Sequence, residues 1–280
     1  MKIAIASGKG GTGKTFVSTN LYKAALHYNI QVDLVDCDAE EPNVTQFLSP
    51  ACEDKEIVYQ HVPVVNAEVC TFCGKCYEYC NYNAILYIPG KNFISVVEEL
   101  CHDCGACVAA CDVGAITEKE KPLGVISEYK NNEGKIIEGR ADVGVYSPVP
   151  IVKKSIQKVR SHSLVLLDSP PGISCPFVAT VAEADYVLLV TEPTPFGLHD
   201  LQLSAETLQE LGKPFGVIIN RVGLGNKEVY DWIVSQNIEI KMEIPFDKKI
   251  AKIYSEGKIL VDVDEGYLRK FYNLLQTFNI

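Results

Sequence analysis

The turn that most limits the folds open to this chain is Ser7-Gly8-Lys9-Gly10-Gly11-Thr12-Gly13-Lys14-Thr15. It follows an apolar run, Lys2 to Ala6, and leads into a stretch with helical spacing. Residues 8 to 15 satisfy Gly-x4-Gly-Lys-Ser/Thr between a strand and a helix, the context in which this spacing forms a phosphate cradle. The glycines let the backbone curl so that successive N–H groups point inward, and the N-terminus of the following helix adds positive potential. Gly8, Lys9, Gly10, Gly11, Thr12, Gly13, Lys14 and Thr15 are therefore the candidate contacts to ATP. Lys14 is expected to reach the β and γ phosphates, and the Thr15 hydroxyl to ligate Mg²⁺.

Val32 to Asp36 reads as a second buried strand, and residues 164–168, 186–191 and 215–220 read as three more. Helical stretches separate the last two and follow the third. Apolar strands alternating with helices predict an α/β fold, a mostly parallel sheet covered on both faces. Asn131-Asn132-Glu133-Gly134 suggests a hairpin turn, and a short helix is expected near Val152 to Val159. Near the C-terminus Leu268, Phe271, Tyr272 and Leu275 share one helical face, which predicts a terminal helix packed on the core.

Cysteines dominate the segment from 61 to 121, and that segment repeats itself. Cys70, Cys73, Gly74, Cys76, Cys80, Ala84 and Ile85 recur 31 positions later as Cys101, Cys104, Gly105, Cys107, Cys111, Ala115 and Ile116. The chain is therefore read as a P-loop domain in two parts, 1–60 and 122–280, with a small duplicated α+β domain inserted at 61–121.

The formal charge of −10 argues against a nonspecific nucleic-acid binder, which needs a basic surface to displace counterions from phosphates. No segment approaches the roughly 18 to 20 unbroken apolar residues of a membrane span, and the run before the glycine loop is too short for a secretion signal. Neither nucleic acid nor membrane is an expected partner, and a cytoplasmic setting is expected.

Lys9 makes the loop resemble the deviant phosphate loop, K-G-G-x-G-K-[ST], of the MinD/ParA/Mrp and nitrogenase iron-protein class of P-loop ATPases. The resemblance covers residues 1 to about 50 and 145 to 280. It implies that Lys9 reaches across a two-fold dimer to the partner's ATP, as an arginine finger does. Asp36-Cys37-Asp38 matches switch I, where Asp38 is expected to orient the attacking water and Asp36 to serve the metal. Asp168-Ser169-Pro170-Pro171-Gly172 matches switch II, with Asp168 holding Mg²⁺ through water and Gly172 sensing the γ-phosphate. Ile219-Asn220-Arg221 and Ile244-Pro245-Phe246-Asp247 match segments that frame adenine, with Asn220 bonding the base. The catalytic set implied is Lys9, Lys14 and Asp38.

The two quartets, each Cys-x2-Cys-x2-Cys-x3-Cys, resemble a bacterial two-cluster ferredoxin domain. Zinc is the alternative, although structural zinc sites usually take well-separated pairs of ligands. The resemblance implies one 4Fe-4S cluster on Cys70, Cys73, Cys76 and Cys111, and another on Cys101, Cys104, Cys107 and Cys80. The proline that commonly follows the fourth cysteine is replaced by Asn81 and by Asp112. Cys37 and Cys52 read as core or loop residues. Cys175, seven residues after Asp168, lies where the nitrogenase iron protein has a cluster-ligating cysteine. It is either a redox or metal site or a small apolar side chain.

The expected activity is ATP hydrolysis coupling a dimer switch to electron transfer, or to iron–sulfur or metal-centre assembly on a client protein. The dimer is either a homodimer or a heterodimer with a related ATPase. The alternative is a MinD/ParA-like positioning ATPase with a redox-sensing ferredoxin domain.

Overall fold

The computed structural model of the chain describes residues 1–49, 51–130, 134–160 and 163–280. β1 (Lys2–Ala6) leads through the glycine loop to α1 (Lys14–His27), β2 (Val32–Asp36) and the short α2 (Val44–Leu48). β3 (Cys52–Val65) enters the cysteine segment, which holds α3 (Lys75–Glu78), β4 (Ile85–Ile88), β5 (Phe93–Val96) and α4 (Ala106–Ala109). β6 (Ile116–Lys130) leaves it and is followed by β7 (Gly134–Ala141), α5 (Val149–Gln157), β8 (Leu164–Asp168) and α6 (Cys175–Ala182). The chain continues through β9 (Tyr186–Thr191), α7 (Pro195–Glu210), β10 (Phe215–Val222), α8 (Glu228–Ser235), β11 (Ile240–Pro245), α9 (Lys248–Ser255) and α10 (Glu265–Gln276).

One sheet of nine strands runs in the order β11-β10-β9-β1-β8-β2-β7-β6-β3. Every pairing from β11 to β7 is parallel, and β6 and β3 extend the sheet by antiparallel pairings. The central strands β1, β8 and β9 are largely apolar because they bury both faces. Ile3 and Ile5 of β1 join one core layer with Leu34, Leu166 and Phe271, while Ala4 and Ala6 join the opposite layer with Val35, Leu167 and Phe177. The expected terminal helix is α10. Its Phe271, Leu274 and Leu275 are buried and Tyr272 stacks at 3.5 Å on Tyr28, the residue just after α1, so its apolar face is spent on the core. No helix among the described residues is long and apolar enough to cross a membrane.

Two expectations are refined, and one strand was not foreseen. β6 and β7 pair antiparallel, with Lys130 opposite Lys135, but turn residues 131–133 lie outside the described residues. The helix expected near Val152 begins earlier, at Val149, with prolines at 148 and 150 in its first turn, where a missing N–H costs nothing. β3 was not legible as a strand because its charged, solvent-facing residues hide the alternation. As the sheet's edge it tolerates Pro63, and its exposed charges discourage edge-to-edge pairing.

β3 and β6 pair from Cys52 opposite Tyr129 to Val65 opposite Ile116, so the cysteine segment sits at the tip of a long antiparallel ribbon. The sequence duplication is visible in its backbone. Phe72 and Asp103, Gly74 and Gly105, and Asn83 and Gly114, each pair 31 residues apart, all take positive φ. At Gly74 a side chain is excluded on a second count, since a Cβ would lie 2.7 Å from the Tyr87 ring. Cys76, Ile85 and Ile116 form the segment's small core with Val65, Ile94 and Val108.

Candidate functional site

The glycine loop and the ends of β8, β2 and β10 surround a cavity of about 440 Å³. Its walls are Gly10, Gly11, Gly13, Lys14 and Thr15 from the loop, Asp38 and Glu41 after β2, and Asp168 at the end of β8. Asn220, Arg221, Pro245, Phe246 and Tyr254 close the far side. Ligand crevices of open α/β sheets form at these carboxyl ends of the strands.

Gly13 needs to be glycine: its φ is 102°, and a Cβ there would lie 2.4 Å from the Asn220 amide nitrogen. Asn220 in turn donates from Nδ2 to the Thr12 carbonyl at 2.8 Å and accepts the Arg221 N–H on Oδ1 at 2.9 Å. Its amide group therefore braces the loop, a role the sequence reading did not assign. Gly8 is required by close approach, since a Cβ would lie 2.4 Å from the Asp200 carbonyl oxygen of α7.

Lys14 is buried and folds back, donating to Ser7 Oγ at 3.0 Å and to the Lys9 carbonyl at 3.4 Å. Burial lowers its pKa, opposed by the carboxylates of Asp168 and Asp38. The Thr15 hydroxyl donates to Asp168 Oδ2 at 2.8 Å, whereas Asp168 Oδ1 is buried without a partner among the described residues. A hydroxyl and a carboxylate converging beside an orphaned acceptor fit a hydrated Mg²⁺. Asp38 borders the cavity, held by the Glu41 N–H at 3.4 Å, and burial raises its pKa.

Asp36 is paired with Asp168 across adjacent strands, but its carboxylate is directed into switch I. Oδ1 accepts the Asp38 N–H at 3.1 Å, and Oδ2 accepts those of Asn43 and Val44 at 2.8 and 3.0 Å. It stands behind the cavity wall. Lys9 also lies off the wall, with Nζ 6.0 Å from the centre of the exposed Phe196 ring. Gly172, with φ 84°, donates its N–H to the Ser7 carbonyl at 3.1 Å, tying switch II to the phosphate loop. Cys175 is exposed at the first turn of α6, while Cys37 is fully buried. Phe246 came from a segment the sequence had singled out, but nothing local marked Tyr254, which reaches the cavity from α9 by stacking on Phe47 of α2 at 4.7 Å.

Burial raises the Asp168 pKa from 3.8 to about 6, with Thr15 and Lys14 opposing. A carboxyl whose folded value lies above its unfolded one binds more protons when folded, so its contribution to stability falls as pH rises through that window. Asp168→Asn is accordingly expected to stabilise the nucleotide-free chain by on the order of 2 kcal/mol at pH 8 and by little at pH 4, measured by urea unfolding without Mg²⁺.

Among the described residues no three His, Cys, Asp or Glu side chains converge as on a single ion. The thiols are arranged otherwise: Cys80, Cys101, Cys104 and Cys107 together line one cavity. Cys76 is raised by burial and then by the charges of Cys70 and Cys73, and it shares the segment's small core with Cys111. Backbone N–H groups of Phe72, Ala84 and Ala115 point at the sulfurs of Cys70, Cys80 and Cys111 at 3.4, 3.3 and 3.2 Å. N–H···S contacts of this kind stabilise charge on cluster sulfurs. Burial pushes the Cys107 thiol up to about 11, so its proton must leave before any metal binds.

Residues 3–261 match the CobQ/CobB/MinD/ParA nucleotide binding domain. Two uncharacterized proteins of Methanocaldococcus jannaschii are similar over nearly the whole chain. One is 31% identical, covering 98% of this chain and 97% of its own length, and the other is 33% identical, covering 99% and 97%. The septum site-determining protein MinD of Pyrococcus horikoshii, solved with Mg-ADP, superposes with a TM-score of 0.59 at 20% identity, covering 98% of this chain and 93% of that one. That likeness carries the fold, while the family match spans the glycine loop and the segments that hold Asp38, Asp168 and Asn220. The chain thus belongs to the CobQ/CobB/MinD/ParA nucleotide-binding family and is a P-loop ATPase with a MinD-like, mostly parallel sheet.

Proposed function

We propose that this ATPase works as a two-fold pair whose nucleotide state is coupled to two 4Fe-4S clusters at the ribbon tip, delivering electrons or a metal centre to a client protein. One observation carries the coupling. The Ala141 N–H at the end of β7 donates to the Ala39 carbonyl in switch I at 2.8 Å, and the next residue, Asp142, donates to the Leu123 carbonyl of β6 at 2.8 Å. Glu138 of β7 also accepts the Thr45 hydroxyl of α2 at 2.6 Å. A shift in the segment after Asp38 therefore pulls on β7 and, through Asp142, on β6, the strand that leads out of the cysteine segment.

In this reading the loop N–H groups and Lys14 hold the phosphates, while Thr15 and Asp168 hold Mg²⁺, which neutralises phosphate charge. Asp38 orients the attacking water, and Asp36 keeps switch I folded around it. Lys9 serves the partner's ATP, Gly172 reports the γ-phosphate, and Asn220 and Arg221 close on the base. Cys70, Cys73, Cys76 and Cys111 hold one cluster, and Cys80, Cys101, Cys104 and Cys107 the other.

The experiment is anaerobic. Asp38→Ala protein held in ATP should sediment as a dimer and give a cluster EPR spectrum different from that of the ADP state; identical spectra would end the coupling. Lys9→Ala is expected to keep nucleotide binding and lose ATP-dependent dimerisation, and a normal dimer would refute its role in trans. The whole-chain likeness to MinD favours a second reading, a positioning ATPase with the cysteine segment as a redox sensor. Robust ATP-dependent pelleting with anionic vesicles or DNA would select it.

A further inference from the structure

Between the cysteine segment and the sheet lies a second cavity of about 740 Å³, which shares no residue with the nucleotide cavity. Tyr82, Cys101 and His102 border it on one side. The segment Asp142 to Ser147 and the first turns of α5 border it on the other. Its wall is aromatic: His102 lies flat on Tyr82, with centroids 3.9 Å apart and planes 14° apart, and Tyr146 meets His102 edge-on at 6.2 Å. At its mouth Tyr146 is 67% exposed and Val143 fully so. Large rings and apolar side chains kept in solvent around a concavity mark a binding surface. Lys153, one turn into α5, lines this space and has no ion-pair partner among the described residues.

We propose that this cavity is a second ligand site, for a planar heteroaromatic molecule that carries an anionic group. The volume lies within the range of cofactor clefts, roughly 300–1,000 Å³. The Tyr146 ring offers a face for stacking, Lys153 and the Ser147 hydroxyl meet the anion, and the Asp142 carboxylate accepts a ring N–H. Such a ligand would sit against Cys101, and its mouth is tied to switch I through Ala141. Only that dependence on nucleotide state rests on the coupling proposed above; the binding does not.

The test is a titration of anaerobically prepared full-length protein with FMN, followed by flavin fluorescence, with iron measured on the same samples. Saturable binding of one FMN per chain, undisturbed by a non-hydrolysable ATP analogue, is expected. Tyr146→Ala and Lys153→Ala should each weaken it about tenfold, and Tyr146→Phe should leave it unchanged. Iron-loaded protein that does not bind FMN, or binds it equally well in both alanine variants, overturns the site. Displacement by the ATP analogue also overturns it, by placing FMN in the nucleotide cavity, as does a client protein that buries Tyr146 where FMN fails to bind. Iron-free protein that still binds FMN through Tyr146 and Lys153 upholds the site while removing the clusters.

Discussion

Asp38→Ala will lower ATP turnover by about 10²–10⁴-fold while leaving ATP affinity nearly unchanged, the range expected when a positioned acid–base group is removed. Asp38 borders the cavity without holding the phosphate loop, and among the described residues its carboxylate accepts a hydrogen bond only from the nearby Glu41 N–H. Losing it should therefore spare the cradle. Asp36, two residues away, provides the contrast. Its carboxylate accepts three backbone N–H groups of switch I, so replacing it by alanine leaves buried donors unpaired and should lower stability as well as turnover. Turnover assays beside nucleotide-binding isotherms and thermal melts separate the two signatures. Unaltered turnover in Asp38→Ala would remove Asp38 from the chemistry.

The second large effect concerns cluster identity. Cys80→Ser is expected to cut iron and sulfide by about half and to remove the same EPR signal as Cys107→Ser, although Cys80 belongs to the other quartet in sequence. The reason is spatial: Cys80 lines the cavity of Cys101, Cys104 and Cys107, not one formed by its own three neighbours. Cys111→Ser should remove the signal that Cys73→Ser removes. If Cys80→Ser instead matches Cys73→Ser, each quartet holds its own metal. Undiminished iron in all four variants would remove the clusters altogether.

The buried strands were readable because each is apolar on both faces, and the glycine loop was readable because its spacing admits few other conformations. Local sequence could not show how side chains are shared between elements. Asn220 was legible as a site residue, yet its bond to the Thr12 carbonyl depends on β10 lying beside the loop, 208 residues away in sequence. Asp36 and Asp38 look alike in the sequence, and only the fold turns one toward backbone donors and the other toward the cavity. β3 was hidden by its charged outer face, and Tyr254 by the long detour that brings α9 to the loop. The duplicated quartets announced themselves by period, but not that the tip faces a second cavity.

The ribbon of β3 and β6 has a mechanical consequence. A cargo carried on a flexible tether samples every direction and must find its acceptor by search. A cargo mounted on two strands continuous with the main sheet inherits its bearing from the twist of that sheet. Its heading is set when the protein folds, and bending the platform itself is the way to redirect it.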